Sequence, residues 1–438
     1  MLERLFQLNV AGTTIRIEVL AGVTTFVTMA YIIFVQPTVL ASAGMDHGAV
    51  LTATCLASAV ATLLMALLAN YPIAVAPAMG HNFFFAFTVV LAGGTPWPVA
   101  LGAVAIAGMI FILTAGVGLR ERVISAVPES LKHAISVGIG LLIALIGLQW
   151  AGIIVGARGT LVTLGPLTSP PVILALATLV VMAILMARRV TGAMLIAMAM
   201  GLVAALAFGF VKFEGVVSSP PSLSPTFLKL DVLGALRPGL FDVVLVFFLL
   251  ALFDSIGTLI GLTSRIGLAR GGAFPRARQA LLADAVGTVV GAGLGTSTVT
   301  AYIESSTGVA AGGRTGLASV VTAALFLAAL FVHPIVKMVG GGVAAADGVT
   351  LYPIVAPALI LVGVLMMEGV RHIKWDDLTE AIPAFMTLIT MPLTVSITDG
   401  IAFGLIASVI LKLATDRARE LDWLAYVFAA VFLLRYAR

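Results

Sequence analysis

Long apolar runs recur along the chain from end to end. Runs at 23–40, 51–68, 99–117, 241–252 and 315–332 carry little or no charge, over lengths near the roughly 20 residues that cross the hydrocarbon of a bilayer. In lipid, backbone polar groups must be paired within helices or in a closed barrel, whose strands would alternate apolar and polar residues. These runs do not alternate, so the sequence predicts an all-α polytopic membrane protein.

The low charge content excludes a water-soluble protein. Of the 438 residues, 61% are hydrophobic and only 10% are charged, whereas soluble domains carry about 25% charged residues. The single cysteine, Cys55, lies inside an apolar run, so neither a disulfide framework nor a thiolate metal site can be built. We expect Cys55 to be a packing residue, and we expect no metal and no organic cofactor.

Glycines, prolines and charge clusters divide the apolar runs into fourteen predicted transmembrane segments. Their predicted bounds are 20–40, 50–69, 75–91, 98–118, 133–151, 172–187, 192–211, 240–260, 279–294, 297–312, 315–333, 352–368, 383–397 and 400–415. The apolar tail 421–434 is shorter, and a crossing would carry Arg435 and Arg438 through the membrane. We therefore expect residues 416–438 to form a peripheral helix at the membrane interface.

Basic residues are unequally divided between the two faces that these segments define. With a cytoplasmic N-terminus, most Lys and Arg residues fall in cytoplasmic loops, and the opposite face holds Arg158, Lys212, Lys229, Arg237 and Lys337. The positive-inside rule therefore predicts a protein of the inner (cytoplasmic) membrane with its N-terminus inside. It also explains the net charge of +4 without a nucleic-acid partner. The first segment lacks a clear cleavage site, so we expect it to be retained.

The third and tenth segments are both interrupted. The third opens with the sequence YPIAVAPAMG at 71–80, and the tenth with GAGLGTST at 291–298. Half-helices can resume at His81 and Glu304, and seven segments separate the two breaks, so the second half would be inverted relative to the first. Such paired breaks point to a substrate site near the bilayer midplane, because half-helix N-termini leave N–H donors free. Alternatively, Pro and Gly only kink or pack ordinary helices here.

Ionisable residues inside apolar segments are costly and therefore indicate function. Asp254 lies deep in the eighth segment, Glu304 at the break of the tenth, and Asp284 in the ninth. Asp284 fits either a structural hydrogen bond or a proton relay, whereas Asp399 is better explained by turn or cap chemistry. A carboxyl group in a low-dielectric cavity can exchange a proton near neutral pH. Asp254, Glu304 and Asp284 are therefore the candidate proton-coupling residues.

A planar heterocycle with N–H and C=O edges would suit the polar residues at the two breaks. Glu304 and the amide of Asn82 can read such edges, and Phe83, or its neighbours Phe84 and Phe85, can stack on the ring. His81 can either bond the substrate or cap the half-helix. Each phenylalanine can instead be a core or lipid-facing residue.

Five stretches match a known family. They are GVTTFVTMAY at 22–31, ANYPIA at 69–74, FDSIGT at 253–258, GTSTVTAYIES at 295–305 and GVAAGGRTG at 308–316. Together they resemble the AzgA-like purine permeases, the adenine/guanine/hypoxanthine branch of the nucleobase:cation symporter-2 superfamily. The resemblance extends from about residue 10 to residue 415.

The resemblance implies proton-coupled uptake of purine bases through a seven-plus-seven inverted repeat. It implies a core domain at 20–118 and 240–333, a gate domain at 133–211 and 352–415, an elevator motion of the core, and a homodimer. Asp254 and Glu304 would occupy the family's two key carboxylate positions, with His81 and Asn82 beside them. Thr298 and Ser305 of the tenth-segment motif are further candidate substrate-binding residues.

Two departures from the family pattern bear on substrate preference. Val395 stands where relatives carry tyrosine, and His81-Asn82-Phe83 replaces the commoner Leu-Asn-Ala. Either departure can alter which base is preferred, and neither affects the family resemblance.

Rival functions are a transporter of the same fold for uracil, xanthine or an inorganic anion such as sulfate, an intramembrane enzyme, and a channel. Glu304 would repel an anion unless protonated. The only adjacent acids, Asp376 and Asp377, lie in a basic loop without a further metal-ligand cluster, which disfavours an enzyme. A channel is disfavoured because the polar residues form one site rather than a continuous lining.

Overall fold

The computed structural model describes residues 2–117, 127–157, 159–266, 275–345 and 348–436. Arg158 and Arg438, which entered the topology prediction, lie outside these residues. The helices are α1 Leu2–Phe6, α2 Ile15–Met29, α3 Ile32–Ser42, α4 His47–Leu64, α5 Met79–Phe83, α6 Trp97–Val117, α7 Glu129–Trp150, α8 Pro170–Ala187, α9 Ala193–Ala207, α10 Val232–Ala235, α11 Phe241–Arg265, α12 Ala277–Leu294, α13 Ser305–Ala310, α14 Gly316–Ala329, α15 His333–Gly340, α16 Ala356–Met366, α17 Leu378–Thr394, α18 Ile397–Ala414 and α19 Trp423–Tyr436.

Short π-helical and 3₁₀ turns and six short strands complete the fold of the described residues. Helices α4 and α5 continue as π-helical turns over Met65–Ala69 and Phe84–Ala92, and 3₁₀ turns cover Pro238–Leu240, Leu330–Val332, Met367–His372 and Ala418–Glu420. The strands are β1 Val75–Pro77, β2 Ile154–Ala157, β3 Leu161–Leu164, β4 Val299–Ala301, β5 Val343–Ala344 and β6 Thr350–Leu351. They pair as β1 with β4, β2 with β3 and β5 with β6, each antiparallel.

Eight helices of the described residues are long and apolar enough to cross a bilayer. They are Ile15–Ser42, His47–Ala69, Trp97–Ala115, Glu129–Trp150, Pro170–Ala187, Phe241–Arg265, Gly316–Gly340 and Ile397–Ala414. Shorter apolar helices cover Met79–Ala92, Ala193–Ala207, Leu378–Thr394 and Trp423–Tyr436. The chain is therefore a mostly helical, multi-pass membrane protein, and the count of fourteen segments stays a prediction.

The helices pack as two groups. In the first helix group, α2, α4, α6, α11, α12 and α14 surround the β1–β4 pair. In the second helix group, α7 packs on α16, α17 and α18, and α8 packs on α9 and α16.

Small residues let the helices of each group approach closely, as is usual in membranes. In the first group a Cβ on Gly22 would lie 2.4 Å from the Ala318 carbonyl, and in the second a Cβ on Gly363 would lie 2.6 Å from the Gly140 carbonyl. Side chains at these glycines would therefore push the helices apart.

Two predicted boundaries differ from the structure in informative ways. The first segment begins at Ile15 and bends at Ala30 and Tyr31, between α2 and α3. The break predicted between 397 and 400 lies earlier, because the chain reverses at Val395, whose φ of 52° is left-handed, and Ser396 caps α18 by accepting the Asp399 N–H. Asp399 therefore lies in the first turn of α18.

The C-terminal helix α19 packs along α18. Its last residues reach the first turn of α18, where the Tyr436 hydroxyl donates to Asp399 at 2.7 Å. The guanidinium of Arg435, whose charge favoured a peripheral helix, is paired with Asp242 and Asp399. The peripheral location of this helix stays a prediction from the sequence.

A buried carboxylate joins the first segment to α14. Glu18 is fully buried and accepts backbone N–H bonds from Arg314 at 2.8 Å, Thr315 at 3.3 Å and Ala318 at 3.2 Å. These donors lie at the N-terminus of α14, where helical N–H groups have no intrahelical partner and negative charge is favoured. Glu18 therefore anchors α2 to α14.

We expect Glu18→Ala to destabilise the folded protein by about 3 kcal/mol, because it leaves buried N–H donors without an acceptor. Glu18→Gln keeps one acceptor oxygen and should lose less. The measurement is thermal unfolding of the detergent-solubilised protein. Glu3→Ala is the control, because Glu3 bonds only the exposed N–H of Asn9; equal stability of the Glu18→Ala and Glu3→Ala variants would contradict the anchoring role.

Candidate functional site

Two buried strands from distant parts of the sequence pair in the interior of the first helix group. Residues 75–77 of β1 pair antiparallel with residues 299–301 of β4, and all six are buried. The Tyr302 N–H bonds the Ala74 carbonyl at 2.9 Å, and the Ala78 N–H bonds the Thr298 carbonyl at 3.0 Å. Each strand then leads into a short helix, β1 into α5 and β4 into α13. The pairing brings the two interrupted stretches of the sequence together.

A cavity of about 430 Å³ reaches this region from between the two helix groups. Its walls come from α5, α7 and α11, and its deep end is lined by His81, Phe253 and Asp254. Glu129 and Lys132, in the first turn of α7, lie at the other end. The volume falls within the range of about 300–1,000 Å³ that is typical of small-molecule sites.

Asp254 is the acidic residue at the deep end of the cavity. Its side chain is exposed there, and its Oδ2 accepts a hydrogen bond from the Thr300 hydroxyl at 2.9 Å. Thr300 belongs to β4, so the strand holds the orientation of the carboxylate. Asp284 lies behind the same strand, fully buried, and accepts the Ala301 N–H at 3.3 Å.

Glu304 lies just before α13 and is held by the first segment. The Tyr31 hydroxyl, at the bend between α2 and α3, donates to Glu304 Oε1 at 2.8 Å. Tyr31 is buried, whereas Glu304 is half-buried. Glu304 is close enough to Asp254 for their charges to interact. Tyr31 and the start of α13 therefore hold Glu304 near Asp254.

His81 and Asn82 lie in different surroundings, although they are adjacent in sequence. His81 lines the cavity, is only 3% exposed, and neither ring nitrogen makes a hydrogen bond of ordinary geometry within the described residues. Asn82 is fully buried, and its Oδ1 accepts from the Ser297 hydroxyl. The Gln36 amide donates to Thr296 at 2.9 Å in the same network. Asn82 thus joins α5 to the stretch before β4.

Thr298 and Ser305 flank β4. The Thr298 hydroxyl is buried without a hydrogen-bond partner within the described residues. The Ser305 hydroxyl accepts the Ala74 N–H at 3.0 Å and so ties the start of α13 to the stretch before β1. Ser305 therefore has a clear structural function, and its role in substrate binding stays a prediction.

The predicted stacking residue Phe83 lies away from the cavity. It is fully buried, and its ring stacks on Phe87 with centroids 5.3 Å apart. Phe84 likewise packs edge-on against Phe247 at 4.6 Å. Phe253 is the aromatic residue that lines the cavity beside Asp254.

Sequence reasoning missed Phe253, Thr300, Tyr31 and Gln36. Phe253 and Tyr31 stand inside quoted motifs, and Phe253 precedes Asp254, but an aromatic side chain in an apolar segment carries no signal of its own. Gln36 is a polar side chain within the otherwise mostly apolar α3, and this signal could have identified it.

Comparison with known proteins matches this arrangement to a family. The profile of the permease family that includes xanthine and uracil permeases matches residues 16–403. The adenine permease AdeP of Escherichia coli is 45% identical over 436 residues, covering 99% of this chain and 96% of AdeP. The guanine/hypoxanthine permease PbuO of Bacillus subtilis is 45% identical over 437 residues, covering 98% of this chain and 99% of PbuO.

A solved structure supports the same fold. The transmembrane domain of the cyanobacterial bicarbonate transporter BicA superposes with a TM-score of 0.58 at 17% identity, covering 90% of this chain and 97% of that domain. At this identity the similarity concerns the fold alone. On the extent of the family match and the identity to its relatives, the chain belongs to this permease family, as an AzgA-like member of the nucleobase:cation symporter-2 superfamily.

Proposed function

We propose that this protein carries purine bases, namely adenine, guanine or hypoxanthine, into the cell together with protons. The observation that carries the proposal is the cavity of about 430 Å³ that ends at Asp254 and His81, beside the β1–β4 pair. Membership of a permease family indicates a transporter rather than an enzyme. AdeP and PbuO are named for adenine and for guanine/hypoxanthine, which supports a purine as the substrate.

The chemistry of the cavity supports a neutral heterocycle. Asp254 can accept N–H bonds from the edge of a base, and His81 can donate or accept depending on its tautomer. Phe253 offers an apolar aromatic surface beside Asp254, suited to a planar ring.

An inorganic anion is the rival substrate. The fold is compatible with it, because BicA is named as a bicarbonate transporter. An anion would meet the exposed Asp254 at the deep end of this cavity, and like charges repel strongly where water is scarce. Uracil and xanthine stay as alternatives among the neutral bases.

The transport mechanism that we propose is alternating access by an elevator motion. The fourteen segments would be the eight long helices, the shorter ones at 193–207, 277–294, 356–366 and 378–394, and the interrupted segments at 75–92 and 299–310. The first helix group would be the mobile core and the second the gate, in an inverted seven-plus-seven repeat. Their packing as separate groups, with the cavity between them, supports this division.

The orientation and assembly follow the sequence-based predictions. We propose that the protein lies in the inner membrane with its N-terminus in the cytoplasm. The cavity would then open to the cytoplasm beside the first turn of α7. A homodimer stays a prediction from the family resemblance.

Proton coupling would use the carboxyl groups near the strand pair. An unpaired charge carried through hydrocarbon costs several kcal/mol, so we propose that proton and purine bind together and leave Asp254 or Glu304 neutral before the core moves. Asp284, which lies behind β4 within reach of the Asp254 charge, would relay the proton.

We expect uptake of radiolabelled hypoxanthine, guanine and adenine to fall at least tenfold when a protonophore collapses the pH gradient, because the loaded carrier needs the proton. Uptake would be measured in cells lacking their own purine permeases, with and without sodium. Uracil, xanthine and sulfate serve as competitors. Uptake that follows sodium and survives the protonophore would refute proton coupling, and competition by sulfate alone would refute the purine substrate.

Neutral variants of the two acids should separate their functions. We expect Asp254→Asn and Glu304→Gln each to lower uptake at least tenfold. If one of the two residues takes up the proton, its amide variant should still bind purine. The residual uptake of that variant should no longer respond to pH. Glu214→Gln is the control, because Glu214 pairs with Lys337 on the surface. Normal binding and transport by both site variants would contradict the assignment.

Tyr31→Phe tests whether Tyr31 positions Glu304. Loss of the 2.8 Å hydrogen bond removes stabilisation of the charged carboxylate, so the pH dependence of uptake should shift to higher pH. We expect a rise in KM of about ten- to a hundredfold, since a hydrogen bond to a charged group contributes about 1.5–3 kcal/mol and about 1.4 kcal/mol corresponds to a tenfold change. Tyr426→Phe, which loses a bond to the Ala418 carbonyl away from the site, is the matched control. An unchanged pH profile would exclude a positioning role.

A further inference from the structure

The C-terminal helix α19 has two unlike faces. Ala425, Phe428, Ala429 and Phe432, spaced three and four residues apart, are buried against the protein. On other faces the apolar side chains of Val427, Leu433 and Leu434 are exposed. An apolar helix that is buried on one side and exposes apolar residues on the other is suited to a lipid surrounding.

The direction of α19 is fixed at both ends. It begins after the short connection that follows the last turn of α18, and it ends beside the first turn of α18, where Tyr436 bonds Asp399. The two helices are therefore antiparallel. With 14 residues, α19 rises about 21 Å, which covers most of the length of α18.

Arg435 lies at the far end of this helix and contacts both helix groups. Its Nη1 donates to Asp242 Oδ2, in the first turn of α11, and its Nη2 lies 3.6 Å from Asp399 Oδ1, in the first turn of α18. The Asp242 side chain is only 10% exposed. Arg435 therefore has a carboxylate partner in each helix group, and it would not cross the membrane as an unpaired charge.

This contact lies at the end of α11 opposite the mouth of the cavity. Residues of α11 from Leu250 to Ile260 line the cavity, which extends to the first turn of α7, whereas Asp242 starts α11. The protein is therefore open at one end and bridged by Arg435 at the other.

We propose that α19 is a further membrane-spanning helix, and that Arg435 latches α11 to α18 at the closed end of the transporter. The latch rests on the proposed alternating access, whereas the crossing of the membrane does not. When the cavity opens to the opposite side, α11 must move relative to α18. Arg435 then stays with Asp399 and Tyr436 and releases Asp242.

The crossing is tested by labelling with a membrane-impermeant maleimide in sealed vesicles of either orientation. Arg419→Cys marks the connection before α19, and Tyr436→Cys marks its end. The wild-type chain, whose one cysteine is buried, is the unlabelled control. We expect the two variants to label from opposite sides. Labelling from the same side would overturn the crossing, whatever the protein transports.

The latch is tested by reversible cross-linking with a bifunctional thiosulfonate long enough to replace the Arg435 side chain. Cross-linking Asp242→Cys to Arg435→Cys should lower purine uptake at least tenfold, and a reducing agent should restore it. Asp399→Cys with Tyr436→Cys is the matched control, because it joins α19 to α18 within one group; we expect its uptake to stay within twofold. Undiminished uptake by the first cross-linked pair would overturn the latch, as would equal loss in the control.

A point variant gives a second measurement. In a Ser136→Cys background, which places a label in the cavity, Arg435→Gln should slow labelling from the cavity side at least twofold, because the state open at that end loses its bridge. Lys337→Gln, which breaks the exposed pair with Glu214, should leave the rate unchanged. Unchanged labelling in Arg435→Gln would overturn the latch. Normal labelling of the Ser136→Cys chain without any purine uptake would refute the proposed function alone.

Discussion

The antiparallel pairing of β1 with β4 is the interaction on which the rest of the site depends. Extended backbone inside a membrane protein has polar groups that lipid cannot satisfy, so it is tolerated only where it is paired or faces water. Here each interrupted stretch supplies the partners of the other, and buried hydroxyls complete the set: Thr62 bonds Val75, and Thr288 bonds the Val299 carbonyl. Two short helices can then begin in the interior, and polar side chains can lie beside them. At the same depth, a continuous helix would expose none of its backbone polar groups.

The β1–β4 pairing determines where the acidic residues lie. Thr300 and Ala301 of β4 bond Asp254 and Asp284, and Tyr31 holds Glu304 from the first segment. Movement of the first helix group would carry these groups together, which is what a carrier that loads proton and substrate at one site needs. Close glycine contacts hold the helices of both groups together, and Glu18 adds an anchor in the first group; the proposed elevator motion requires such a rigid first group.

Several features of this structure could be predicted from the sequence, and others depend on tertiary contacts. Apolar runs identify the helices, and the Gly- and Pro-rich stretches identify the positions of β1 and β4, because the physical causes are local. The partners of Asp254 and Glu304 are Thr300 and Tyr31, which come from other segments and could not be read from spacing. Phe83 is packed on Phe87, whereas Phe253 faces the cavity, because side-chain direction depends on how α5 and α11 are rotated. The pairing of Arg435 with Asp242, which weakens the charge argument against a crossing by α19, likewise joins distant segments.

Proton uptake on binding to the purified protein tests the central claim most directly. In weakly buffered solution, addition of adenine, guanine or hypoxanthine should remove protons from the medium in proportion to the bound base, and neutral variants at Asp254 or Glu304 should reduce that uptake. Binding of purines without any change in free proton concentration, or binding of uracil or bicarbonate in their place, would contradict the account.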